Sequence, residues 1–140
     1  MAEAAVGRVA LMSIHPAYAR AILEGRKTIE FRKRRLAADI THVVIYSTAP
    51  DQAVVGYFTV NGQETSSPAS LWRDFRDQGV ISEDDFFAYY AGRSQATGIK
   101  VGEATRLRNV LPLSDIGVSR PPQSFQYLPR DRFAKVLAAV

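Results

Sequence analysis

The sequence predicts an α+β fold, built as a small curled mixed sheet or barrel with helices at its sides. Three observations carry this expectation. Six segments have the apolar density or two-residue alternation of strands. One helix follows the first of them, and two more are inserted together after the fourth. Strand–helix–strand alternation is therefore scarce, which argues against a parallel α/β sheet. No repeat, low-complexity tract or linker divides the 140 residues, so residues 1–140 are expected to form one domain.

Arg8 to Ile14, RVALMSI, is a short apolar run of the kind that becomes a buried strand. His15–Pro16 opens a helix, because proline at the first helical position loses an N–H that has no partner there anyway. Tyr18, Ala19, Ile22 and Leu23 give that helix one apolar face, and Gly25 stops it. From Thr28 the period is two. Ile29 and Phe31 point one way, while Thr28, Glu30, Arg32 and Arg34 point the other. A loop at Leu36–Thr41 leads to the apolar strand His42 to Ser47. Ala49–Pro50–Asp51 then turns the chain into Ala53 to Val60, completing a hairpin in which Gly56 leaves room for a close neighbour.

Ser67–Pro68 caps a helix that carries Leu71, Trp72 and Phe75 and ends near Gly79. Ser82-x-x-Asp85 starts a second, with Phe86, Phe87, Tyr89 and Tyr90 before Gly92. These aromatic residues recur at helical spacing, which favours core packing over stacking on a ligand. Strands are expected at Ala96 to Val101 and Arg106 to Leu113. Pro121–Pro122 interrupts regular structure and fixes a loop, RPPQSFQYL, before a last helix from Arg130 to Val140.

Composition removes several kinds of chemistry. The chain has no cysteine, hence no disulfide, iron–sulfur cluster, thiolate zinc site or cysteine nucleophile. Its two histidines, His15 and His42, share no short motif, so no metal site is expected, nor any cofactor. No apolar run approaches the roughly 18 residues of a membrane span. The N-terminus lacks the basic start of a signal peptide, and the expected compartment is the cytoplasm.

Charge is concentrated in one place. Gly25 to Arg35, GRKTIEFRKRR, holds six of the 18 basic residues and a single acid, for a net +5 in a chain of net +4. An excess this local marks a site rather than a generally basic surface. Gly25 permits a sharp reversal and Lys27 follows it at the mouth of the strand. Glu30 and Arg32 stand two apart on one face, about 7 Å between Cα atoms. A carboxylate among cations stays ionised and can accept from an amino or ring N–H, whereas arginines suit phosphate or a base edge. Glu30 is equally readable as a salt-bridge partner of Lys27 or Arg32. Lys33 and Arg35, on the other parity, are read as solvated.

The spacing Gly25-x-Lys27-x-x-Glu30-x-Arg32 resembles the GxKxxExR signature of the ASCH domains, members of the PUA-like superfamily. The strand–helix lead-in LMSIHPAYARAILEG and the strands VVIYSTAP and VVGYFTV are also similar to that family's pattern. The resemblance implies a PUA-like mixed β-barrel with flanking helices and a helical insert, and a cleft beside the first helix. It further implies nucleic-acid binding, RNA favoured over DNA, with a pocket able to hold a nucleobase. Lys27, Glu30 and Arg32 are the positions that match the motif, and Ser47 is taken as a cleft neighbour. Some small ASCH proteins are amidohydrolases that deacetylate N4-acetylcytidine, and ribonuclease activity is associated with the family. The amidohydrolases resemble this chain at Lys27 but have threonine where it has Glu30, a departure from their pattern.

The expectation is thus a nucleic-acid-binding protein. Arg26, Arg32 and Arg34 neutralise phosphate, and Lys27 and Glu30 address a base. Gln123 and Ser124 read a base edge if their loop lies beside the cleft, where Arg120 can add a phosphate contact. The alternative is an enzyme, an amidohydrolase or ribonuclease using Lys27 with Glu30. A protein-docking module built on the acidic helical insert is a third reading. The letters leave oligomeric state open.

Overall fold

A computed structural model describes residues 5–140. The first four residues, on which the reading of the N-terminus as no signal peptide partly rests, lie outside the described residues. The order is β1 (Arg8–Ile14), α1 (Pro16–Leu23), β2 (Ile29–Arg32), β3 (Ile40–Ser47), β4 (Ala53–Ser66), α2 (Pro68–Phe75) and α3 (Glu83–Tyr89). Then come β5 (Ala96–Leu111), a 3-10 turn (Leu113–Ile116), β6 (Phe125–Leu128) and α4 (Arg130–Leu137). The strands form one six-stranded sheet in the order β2-β5-β4-β3-β1-β6.

The α+β class holds, but the expected barrel is not closed. β2 and β6 are the two ends of the sheet and do not pair with each other. The sheet curls because its longest ladder, between β4 and β5, is interrupted by register shifts at Val54/Gly56, Phe58/Val60 and Val60/Gln63. Gly56 lies in this stretch, and a Cβ there would meet the Thr105 carbonyl oxygen at 2.4 Å and Leu23 Cδ2 at 2.6 Å. Only glycine lets β5 and α1 come this close.

Two element boundaries differ from expectation for the same reason. β4 continues past Val60 through a polar, largely exposed segment to Ser66. The two strands expected at Ala96 to Val101 and Arg106 to Leu113 are one continuous β5. Ladder pairing with β4 carries both strands through residues whose side chains alone would not specify strand. Conversely β2 ends at Arg32, so Arg34 lies in a bend beyond it rather than on the strand. The RPPQSFQYL loop contains a short strand, β6, which pairs antiparallel with β1.

Packing follows the pattern of β1, which is buried on both faces. Val9 and Leu11 join Val44, Val54 and Leu107 under Phe133 and Val136 of α4. Ala10, Met12 and Ile14 join Val43, Ile45 and Phe58 under Ala19 and Ile22 of α1. A third cluster seats the helical insert: Ile29 and Phe31 of β2 pack on Leu71, Phe86 and Tyr90. Ser67 and Ser82 cap α2 and α3 as expected, accepting from Ser70 N at 3.2 Å and Asp85 N at 3.1 Å. The insert is therefore a wall fixed against β2. Among the described residues no helix is long and apolar enough to cross a membrane.

Candidate functional site

The site begins where α1 stops. Gly25 takes φ +80°, a conformation that other residues rarely adopt, and nothing crowds its open side. The N–H groups of Arg26 and Lys27 both donate back to Ala21 O, at 2.9 and 3.1 Å. The two side chains then part. Arg26 lies exposed against Glu24, at 2.6 Å. Lys27 turns inward, is only 2% exposed, and donates from Nζ to Gly79 O. Its ammonium also sits 4.8 Å from the Tyr18 ring centre and 5.4 Å from that of Phe31.

Glu30 closes an ionic group with its neighbours. It is 5% exposed, with Oε1 3.7 Å from Lys27 Nζ and Oε2 3.2 Å from Arg32 Nη1. Of the two sequence readings of Glu30, the geometry shows the salt-bridge partner, placed in the lining of a cleft. Arg32, with a side chain 12% exposed, spans the gap that the open sheet leaves. Nη1 donates to Ser13 O of β1 at 3.3 Å, and Nη2 donates to Ser124 Oγ, just before β6, at 2.6 Å. Its buried Nε–H has no partner among the described residues, a cost of order 1–3 kcal/mol.

These groups line a cleft of about 310 Å³ with His15, Tyr18, Phe31, Ile81, Asp85 and Tyr89. Its walls are aromatic and its floor is the Lys27–Glu30–Arg32 group. Burial pushes the Lys27 ammonium below the ordinary lysine value, and the charge and hydrogen bond of Glu30 oppose that only in part. Burial likewise raises the phenols of Tyr18, Tyr89 and Tyr90, so they are donors at neutral pH.

The Lys27 shift has a definite sign in stability. Between its lowered folded value and the unfolded 10.5, the unfolded chain holds more protons, so stability rises with pH in that window. Lys27→Met is expected to flatten this alkaline limb. Thermal midpoints of both proteins between pH 8 and 11 check it.

A second hollow of about 470 Å³ adjoins the first and shares Arg32 and Tyr89 with it. Lys33, Arg34, Arg93, Gln123 and Ser124 complete it. Gln123 and Ser124 therefore stand beside the cleft but line the neighbouring hollow, and Ser124 Oγ already serves Arg32. Three expected residues are placed elsewhere. Arg26 is turned away by the same reversal that buries Lys27. Ser47 lines a small pocket of about 100 Å³ on another side of α1, donating to Asp51 Oδ2 at 2.8 Å. The strand order explains this, because β3 is separated from β2 by β4 and β5. Arg120 lines a further pocket with Arg132.

His15, Tyr18, Asp85, Tyr89 and Arg93 were not singled out as site residues from the sequence. Tyr18 and Tyr89 carried only the signal of helical spacing, and Asp85 only that of a capping position. Among the described residues no group of three or more His, Asp or Glu side chains is placed to hold a metal ion.

A family model described as the ASCH domain matches residues 12–104, from β1 through the first half of β5. The chain belongs to the ASCH domain family. ASCH domains are in turn part of the PUA-like superfamily. Over 133 residues this ASCH chain is 29% identical to the ASCH domain-containing ribonuclease of Zymomonas mobilis, covering 92% of this chain and 90% of that protein. It is 31% identical over 119 residues, 84% of its length, to large ribosomal subunit protein uL22 of Ureaplasma parvum, but spans only 38% of that protein. The crystal structure of ASCH from Zymomonas mobilis superposes with a TM-score of 0.86 at 26% identity, over 93% of this chain and 94% of that one.

Proposed function

We propose that this ASCH chain binds RNA and seats a nucleobase in the cleft beside α1. One observation carries the reading: aromatic side chains wall a cleft whose buried floor presents Lys27, Glu30 and Arg32 together. Its volume is at the lower end of the roughly 300–1,000 Å³ usual for small-ligand pockets. The rings of Tyr18 and Tyr89 supply stacking surfaces. Glu30 accepts from a base amino or ring N–H, and Lys27 donates to a base carbonyl. Arg34, exposed in the adjoining hollow, meets phosphate. Arg32 has its fork engaged by Glu30 and Ser124, so it holds the site's shape more than it grips a ligand. The ribonuclease name of the Zymomonas relative supports an RNA ligand.

Titration of a labelled single-stranded RNA tests the reading. Lys27→Ala and Arg32→Ala are each expected to weaken binding at least tenfold, and affinity to fall with salt as counterions are released. Matched DNA in parallel separates the two nucleic acids. Unchanged affinity in both variants sinks the proposal.

A second reading, RNA cleavage, is favoured by a specific grouping. His15, Tyr18, Lys27 and Asp85 line one cleft and offer both proton donors and acceptors. His15 Nδ1 accepts from Ala17 N at 3.3 Å, so a neutral ring carries its proton on Nε2. If Lys27 is a general base, turnover rises with pH through its lowered pKa, whereas binding to its ammonium falls over the same range. Incubation with single-stranded RNA and with N4-acetylcytidine, followed for product, decides whether there is chemistry and on which bond.

A further inference from the structure

The two hollows differ in charge, and the difference assigns them different parts of a ligand. The aromatic cleft contains two carboxylates, Glu30 and Asp85. A phosphate placed there would face both. The adjoining hollow is lined by four cations, Arg32, Lys33, Arg34 and Arg93, and by no acid. Its neutral members, Gln123 and Ser124, are hydrogen-bonding groups.

We propose that this second hollow is a phosphate subsite, so that the ligand is a nucleotide or a stretch of RNA rather than a free nucleoside. The proposal rests on the reading of the first cleft as a base pocket. Tyr89 lies between the two hollows, with Lys33 Nζ 4.8 Å from its ring centre. A base against the cleft side of Tyr89 leaves its sugar at the junction near Arg32 and its phosphate among Lys33, Arg34 and Arg93. Gln123, expected from sequence to read a base edge, acts here as an amide donor to phosphate oxygen. The exposed cations make this attraction long-ranged only at low ionic strength, because screening acts within about 8–10 Å at ordinary salt. Arg34 and Lys33 thereby have a common role that strand parity had separated.

The experiment measures binding of the four ribonucleosides, their 3′- and 5′-monophosphates and short single-stranded RNA by NMR titration at 50 mM salt. At least one monophosphate, or the RNA, is expected to bind tenfold or more tightly than its nucleoside. The better of the 3′ and 5′ forms gives the direction of the strand. Arg93→Ala combined with Lys33→Ala is expected to remove that gain while nucleoside shifts at Tyr18 and Tyr89 persist. Equal affinity of nucleoside and nucleotide overturns the subsite but leaves the base pocket standing. Nucleotide shifts that ignore both the double variant and Arg34→Ala also overturn it. Absence of binding by every probe overturns the base pocket and the subsite together.

Discussion

Glu30→Ala is expected to cost the fold about 3–5 kcal/mol at neutral pH, the usual result of stranding buried charge. The carboxylate is the common counter-ion of Lys27 at 3.7 Å and Arg32 at 3.2 Å, and all three are largely withdrawn from water. Removing it leaves two cations facing one another across the floor of the cleft. Urea unfolding reads the loss as a lower midpoint at unchanged slope. The pH dependence then identifies the cause. The charge and hydrogen bond of Glu30 hold the Lys27 pKa up, so without them Lys27 releases its proton at still lower pH. The unfolded chain then holds the extra proton over a wider range, and the variant's deficit shrinks as pH rises. Glu30→Gln, which keeps the shape and removes the charge, should show the same recovery. A deficit below 1 kcal/mol and flat with pH would mean that Lys27 is already neutral in the folded protein at pH 7.

That lone acid shows how far the letters reach. Two-residue alternation put Glu30 and Arg32 on one face, and the helix, glycine, lysine, strand order put Lys27 beside them. All three are in the cleft because those relations are local. Relations set by tertiary structure were not legible. Arg26 and Lys27 are adjacent and both basic, yet the left-handed turn at Gly25 sends one to solvent and the other to Gly79 O. Ser47 ends a strand that looks like a neighbour of β2 in sequence, but β4 and β5 lie between them.

The open sheet is the clearest case of the same limit. The strand-like segments alone left open the choice between a curled sheet and a barrel, and the family resemblance implied the barrel. The bends that curl β4 and β5 bring the two ends near each other without pairing them. Arg32 crosses the opening instead, from β2 to Ser13 of β1 and to Ser124 before β6. The site therefore occupies the place where backbone pairing fails. No periodicity in the sequence reports on that, since it depends on register shifts such as Val60/Gln63 in a polar stretch.

Phe86→Ala is expected to destabilise the protein by about 3–5 kcal/mol, the range for truncating a buried aromatic side chain. Phe86 is fully buried, with ring centres of Phe31, Trp72, Phe87 and Tyr90 at 4.8, 5.0, 5.1 and 4.9 Å. It joins the helical insert to β2 through Phe31, and Phe31 is itself a wall of the cleft. Asp85 and Tyr89 are one residue before and three after it on α3, so loosening this contact displaces cleft and hollow together. Nucleobase binding should therefore fall although no ligand-facing atom is removed, and thermal unfolding should move down by roughly 10 °C or more. Phe86→Leu refills most of the volume and separates the two effects. If packing alone positions α3, the leucine variant regains both stability and binding. If it regains stability without binding, the edge-to-face contact with Phe31 is what sets the cleft's width.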